Sequence, residues 1–229
     1  MNILTDKKSN PINMVIGILL LGSAWGLVEV LLGGTLKACG IHARAGILTG
    51  AGMFIMGAGL MIFRKPAFPL FAGMAAALHI QMAVPVLGCS LMCRANSSLA
   101  LLLHGAALAG FSSILFRTSM SIKSRAGTGF IAAAASAAVF YYTGMRLAPC
   151  PYLLSFNVPG GFALFMIREG MVWSAFSAAA LPLGMLTGMN LSERLNALDT
   201  DRKALHYAGA AVFFTAVTAV TGAVIAAGL

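Results

Sequence analysis

Seven apolar stretches, each about as long as a bilayer is thick, dominate this 229-residue sequence. They run over Ile12–Leu36, Ala45–Phe63, Ala67–Met92, Ser97–Phe116, Gly127–Leu147, Gly160–Leu186 and Leu205–Leu229. A helix needs about 20 mostly apolar residues to cross a hydrocarbon core, and inside that core every backbone polar group must be satisfied within the protein. The pattern therefore predicts an all-α, polytopic transmembrane helix bundle of about seven spans, forming one integral membrane domain over residues 1–229. The second stretch is short and rich in glycine, which leaves six spans open beside seven. The third and sixth are long and contain Pro85 and Pro182, so they are expected to tilt or kink. Composition closes the soluble alternative: only 9% of residues are charged, against roughly 25% in soluble domains.

The basic residues punctuate the stretches. With seven spans, Lys7, Lys8, Arg64, Lys65, Arg117, Lys123, Arg125, Arg194, Arg202 and Lys203 fall on one side, and Lys37, Arg44, Arg94 and Arg146 on the other. Positive charge collects on the cytoplasmic side of membrane proteins. The expected placement is a multi-pass protein of the cell (inner) membrane, N-terminus cytoplasmic and C-terminus outside. The same distribution excludes nucleic acid as the reason for the net charge of +9, because no single basic patch is formed. Lys7-Lys8 and the apolar run after it imitate a signal peptide, but the run continues to Leu36, longer than a signal core requires. It is read as an uncleaved first helix.

Ionisable residues inside a bilayer mark function or a buried structural pair. Here they are Glu29, His79, His104, Arg168 and Glu169. At about 1.5 Å of rise per residue, Glu29, His104 and Glu169 share a level roughly 10–14 Å below the outer surface, with His79 deeper. Gly22, Gly26, Glu29 and Gly33 recur on one helical face, where small residues admit a close neighbour. Glu29 either pairs with Arg168 as interhelical glue or lines a site. Arg168 and Glu169 point about 100° apart and serve different partners. Trp25 and Trp173 lie one turn from Glu29 and Glu169 and are candidates for the floor of a pocket. The candidate substrate-binding set is Glu29, His79, His104, Arg168, Glu169, Trp25 and Trp173.

Four cysteines, Cys39, Cys89, Cys93 and Cys150, fall near the outer ends of these stretches, with His42 close to Cys39. Together they offer soft ligands for a transition metal. Structural disulfides, simple packing and accidental spacing compete with that use, and the C-x3-C spacing matches no zinc or iron–sulfur pattern. The segment Arg146–Gly161, with three prolines and Gly160-Gly161, cannot be one helix. Its apolar Tyr152-Leu153-Leu154 suggests a loop that dips onto the bundle, as a lid or a compact connection. Phosphate loops, nucleotide fingerprints, H-E-x-x-H pairs and G-x-S-x-G elbows are absent from the sequence.

In size, in glycine and alanine content and in lacking its own ATPase motif, the chain resembles the S components of energy-coupling-factor uptake transporters. Gly22-x-x-x-Gly26 and Ala132–Ala135 resemble the small-residue surfaces by which such subunits dock on a membrane partner. The resemblance implies a substrate-binding subunit that captures a metal ion, vitamin or small organic solute from outside, energised by membrane and ATPase partner subunits. It departs from the family in two respects. Seven spans exceed the usual six of vitamin-type members, and residue 2 is Asn2 where metal-type members carry histidine. Two other classes remain: a membrane metal or redox protein using the Cys/His cluster, and a structural subunit of a membrane complex.

Overall fold

The computed structural model describes residues 11–83, 94–117, 121–201 and 203–227. Its helices are α1 (Pro11–Ala38), α2 (Arg44–Phe63), α3 (Phe68–Ala83), α4 (Ala95–Leu115), α5 (Ile122–Leu147), α6 (Pro151–Leu154), α7 (Gly161–Phe165), α8 (Met171–Asp201) and α9 (Lys203–Ala226). A π-helical turn, Met166–Gly170, joins α7 to α8. Five helices are long and apolar enough to cross a membrane, and two shorter apolar ones, Phe68–Met82 and Ala208–Val224, accompany them. The chain is an all-α bundle of a multi-pass membrane protein. Pro85 lies outside the described residues, and α8 runs through Pro182 without ending.

Six helices close a ring. In order around it, α1 touches α3, α3 touches α4, then α5, α8 and α2 follow, and α2 returns to α1. Helix α9 packs chiefly on α1. The short α2, whose glycines weakened it as a candidate span, is the most enclosed of the long helices, with 61% of its apolar window buried. Its glycines are the reason. Lipid tails are as apolar as leucine, so helices in a bilayer associate through close van der Waals packing rather than hydrophobic expulsion. A Cβ at Gly46 would lie 2.5 Å from Val172, and one at Gly57 would lie 3.0 Å from the Leu181 carbonyl. From the other side, a Cβ at Gly184 would stand 2.1 Å from the Phe54 carbonyl oxygen, and at Gly188 2.2 Å from that of Ala58. Two parallel helices therefore meet backbone to backbone along their length.

The Gly22–Gly26 stripe, expected to face a partner subunit, is used within the chain. A Cβ at Gly22 would lie 2.6 Å from Ala75, and at Gly26 3.0 Å from the His79 ring, both on α3. Of Ala132–Ala135, Ala132 and Ala133 are fully buried in the core and Ala134 and Ala135 are half-buried. Periodicity identified the small face correctly; the neighbour that fills it is α3, not an external helix.

Helix α5 stops after Leu147, where prolines follow, and the chain folds back. Cys150 begins α6, its sulfur accepting from the Leu153 amide at 3.4 Å. Leu153 and Phe156 are buried at 1% and 3% exposure, so the segment does dip into the bundle. Gly160, with φ of 75°, turns the chain into α7, a backbone conformation that favours glycine.

Candidate functional site: a carboxylate clamp beside an open histidine

The π turn carries Arg168 and Glu169. Inserting one residue into a helix re-aims its side chains, and such turns recur at functional sites. Here Arg168 is exposed while Glu169 is half-buried. Both oxygens of Glu169 accept hydrogen bonds. Trp173, one turn further along, donates from Nε1 to Oε2 at 3.2 Å, and the Tyr152 hydroxyl of α6 donates to Oε1. Each carboxylate oxygen has a second lone pair, so Glu169 keeps acceptor capacity for a further donor.

Three contacts tether the α6 segment above this carboxylate. Tyr152 binds Glu169, Asn96 at the start of α4 donates from Nδ2 to the Cys150 sulfur at 3.0 Å, and the Tyr141 hydroxyl of α5 donates to the Phe156 carbonyl at 3.1 Å. Partial burial, then the hydrogen bond and the charge of Glu169, push the Tyr152 phenol above its ordinary range, with Arg168 and Arg44 opposing. The sign follows directly: a phenol that binds its proton more tightly when folded contributes fully below its unfolded pKa, and the contribution is lost as pH rises through the folded value. Tyr152 thus remains a donor at neutral pH. Tyr152→Phe removes that donor and is expected to weaken the segment by about 1 kcal/mol, read as faster amide hydrogen exchange across residues 150–160 with little change elsewhere.

Trp173 carries the geometry from Glu169 to His104. Its ring lies 5.0 Å from the His104 ring, 5.6 Å from Phe140 and 6.1 Å from Phe165. His104 is buried, at 4% exposure, and its Nδ1 lies 2.5 Å from the Ala100 carbonyl oxygen. A carbonyl only accepts, so Nδ1 carries the proton of this bond. In the neutral ring Nε2 is then a bare lone pair, and it has no hydrogen-bond partner among the described residues. Buried polar atoms in the same condition are Trp25 Nε1 on α1, Gln81 Oε1 on α3, Asn96 Oδ1 on α4 and Ser177 Oγ on α8. Leaving such a group unsatisfied costs about 1–3 kcal/mol.

Glu29 stands apart from Arg168. The cations whose charge reaches it are Arg44 and Arg94, and Arg44 also acts on Tyr152. Arg44, read from the sequence as a loop charge, is the first residue of α2 and half-buried. It is electrostatically shared by the two ends of the candidate site. Trp25 does not repeat for Glu29 what Trp173 does for Glu169: it is 1% exposed and lies against α2, where a Cβ at Gly52 would be 2.6 Å from its indole. His79 is committed elsewhere. Its Nε2 lies 2.9 Å from Thr221 Oγ1 of α9. That hydroxyl donates to the Val217 carbonyl at 2.8 Å, so His79 is the donor to Thr221.

The structure thus joins His104, Trp173, Glu169 and Tyr152, brings Arg44 towards Glu29, and holds His79 in the link between α3 and α9. Among the candidate metal ligands, Cys39 and His42 are exposed and Cys150 caps α6. Cys39 and Cys150 are free thiols, while Cys89 and Cys93 lie outside the described residues. Among the described residues no three His, Cys, Asp or Glu side chains converge as a metal site would require. Tyr152 and Arg44 are the site residues that sequence reasoning missed. The only signals for them were a tyrosine inside a proline-broken outer segment and an arginine at the mouth of a glycine-rich span. Comparison of the chain with protein-family models, with curated proteins and with solved structures finds no match.

Proposed function

We propose that this protein is the solute-binding membrane subunit of an uptake system, with energy supplied by membrane and ATPase partners. One observation carries the reading: a buried histidine with a free Nε2 lone pair packs on the tryptophan that holds a half-buried carboxylate, beneath the tethered α6 segment. Ionisable groups at this depth are costly and by default mark a functional site. Glu29 lies nine residues from the Ala38 end of α1, and His104 nine from the Ala95 end of α4. At about 1.5 Å per residue both sit some 13 Å from the same end of the bundle.

In this reading the solute enters from outside at the Arg146–Gly161 segment, following the orientation favoured by the loop charges. It rests among Glu29, His104, Glu169 and Trp173, with Trp25 below, Arg44 and Arg168 at the mouth, and His79 holding the α3–α9 wall. Two carboxylates, an imidazole lone pair and an arginine suit a small organic solute bearing both an amine or hydroxyl donor and an anionic group. Inward release requires rearrangement by the partners, because the chain has no nucleotide motif of its own.

A thermal-shift screen of the purified protein against amino acids, vitamins and divalent cations tests this. A solute at 100 times its Kd stabilises by about 2.7 kcal/mol, a readable rise in melting temperature. The rise is expected for one solute class in the wild type and is expected to be lost in both Glu29→Gln and His104→Ala. A rise unchanged in both variants would remove these residues from the site.

A further inference from the structure

A cavity of about 330 Å³ opens beside the last turn of α5, lined by Tyr141, Tyr142, Met145, Arg146, Leu154 and Asn157. Among the described residues, no acidic residue lines it. The Tyr141 hydroxyl is spent on the Phe156 carbonyl, whereas Tyr142, Arg146 and Asn157 are exposed. The Tyr142 ring is fixed in place, stacked 5.2 Å from Phe162 and edge-on 5.1 Å from Tyr141. Along α5, Ile131, Val139, Tyr142 and Arg146 fall eight, three and four residues apart, on one helical face. Ile131, Val139 and Tyr142 are all about half exposed. An apolar strip thus runs up a membrane helix and ends at a guanidinium, at the level where aromatic side chains meet the headgroups.

We propose that this cavity binds a membrane phospholipid through its phosphate. Arg146 pairs with the phosphate oxygens as a planar fork, the Asn157 amide and the Tyr142 hydroxyl donate to the same group, and an acyl chain follows the Ile131–Val139–Tyr142 face. Charge complementarity selects an anion, and the strip selects a lipid over a free phosphate, because inorganic phosphate leaves the strip unused. The site is separate from the Glu169 clamp and does not depend on the uptake reading.

Native mass spectrometry of the delipidated full chain, titrated with phosphatidylglycerol, tests it. One lipid per chain is expected to bind more tightly than the rest. Arg146→Gln is expected to weaken that first lipid about tenfold, the loss of a charge-assisted hydrogen bond. Asn157→Leu, an exposed position where the fold survives, is expected to weaken it several-fold with an unchanged melting temperature. Arg117→Gln, at the opposite end of the bundle, should change nothing, and glycerol 3-phosphate and inorganic phosphate should not displace the lipid. First-lipid affinity unchanged in Asn157→Leu overturns the proposal. So does displacement of the lipid by glycerol 3-phosphate, which would make this a site for soluble anions.

Discussion

Gly184→Leu is expected to destabilise the bundle by about 3 kcal/mol, the upper end of what overpacking costs. A Cβ at this position would stand 2.1 Å from the Phe54 carbonyl oxygen, and the Phe54 carbonyl carbon and Cα would be 2.8 Å away. These are backbone atoms, which cannot swing aside as a side chain does. The helices must separate, and the nearby contact at Gly188, where a Cβ would be 2.2 Å from the Ala58 carbonyl oxygen, opens with them. The α2–α8 seam is also what sets α8 and its π turn against the rest of the ring, so the Glu169 clamp should loosen too. Gly110→Ala is the matched control. Nothing lies within 4 Å of a Cβ there, and alanine is the better helix former by up to about 1 kcal/mol. Denaturant titration in one detergent should find Gly184→Leu strongly destabilised and Gly110→Ala neutral or slightly stabilised. Equal effects would contradict the backbone contact.

Trp173→Ala is the second large effect, about 3–5 kcal/mol for removing a buried aromatic side chain. Trp173 is 5% exposed and stands between His104, Phe140 and Phe165, so its loss opens the core where four helical segments meet. Trp173→Phe separates packing from chemistry. It keeps most of the ring contacts but removes the indole N–H, leaving Glu169 Oε2 without its 3.2 Å donor. Its cost should be smaller, about 1–2 kcal/mol, while solute binding should fall as far as in Trp173→Ala. If Trp173→Phe retains both stability and binding, the Trp173–Glu169 hydrogen bond has no role in the site.

The helices were legible because a bilayer demands long apolar runs, and five of the seven stretches appear as helices within about five residues of the expected limits, while the sixth is broken by the π turn and runs on past Leu186 to Asp201. In the third, the residues beyond Ala83 up to Met92 lie outside the described part of the chain. Contacts between helices were legible only in part. The Gly22–Gly26 stripe announces a close neighbour, yet α3 and an outside subunit offer the same small-residue signal. Depth along the helices placed Glu29, His104 and Glu169 at one level, but level does not give azimuth. Glu29 accordingly meets the charges of Arg44 and Arg94 rather than Arg168, and the π turn that aims Glu169 inward and Arg168 outward has no marker in sequence. Tyr152 reaches Glu169 only because Leu153 and Phe156 anchor a segment whose prolines predicted irregular backbone but not its path.

Native mass spectrometry of the wild-type chain, released gently from a membrane mimic and paired with elemental analysis of the same sample, tests the central claim most directly. One small solute mass per chain is predicted, after purification or after incubation with cell extract, and it should be diminished in Glu29→Gln and His104→Ala. A chain that carries no solute and gains none from the extract, while melting as cooperatively as before, would contradict a solute site at this level of the bundle.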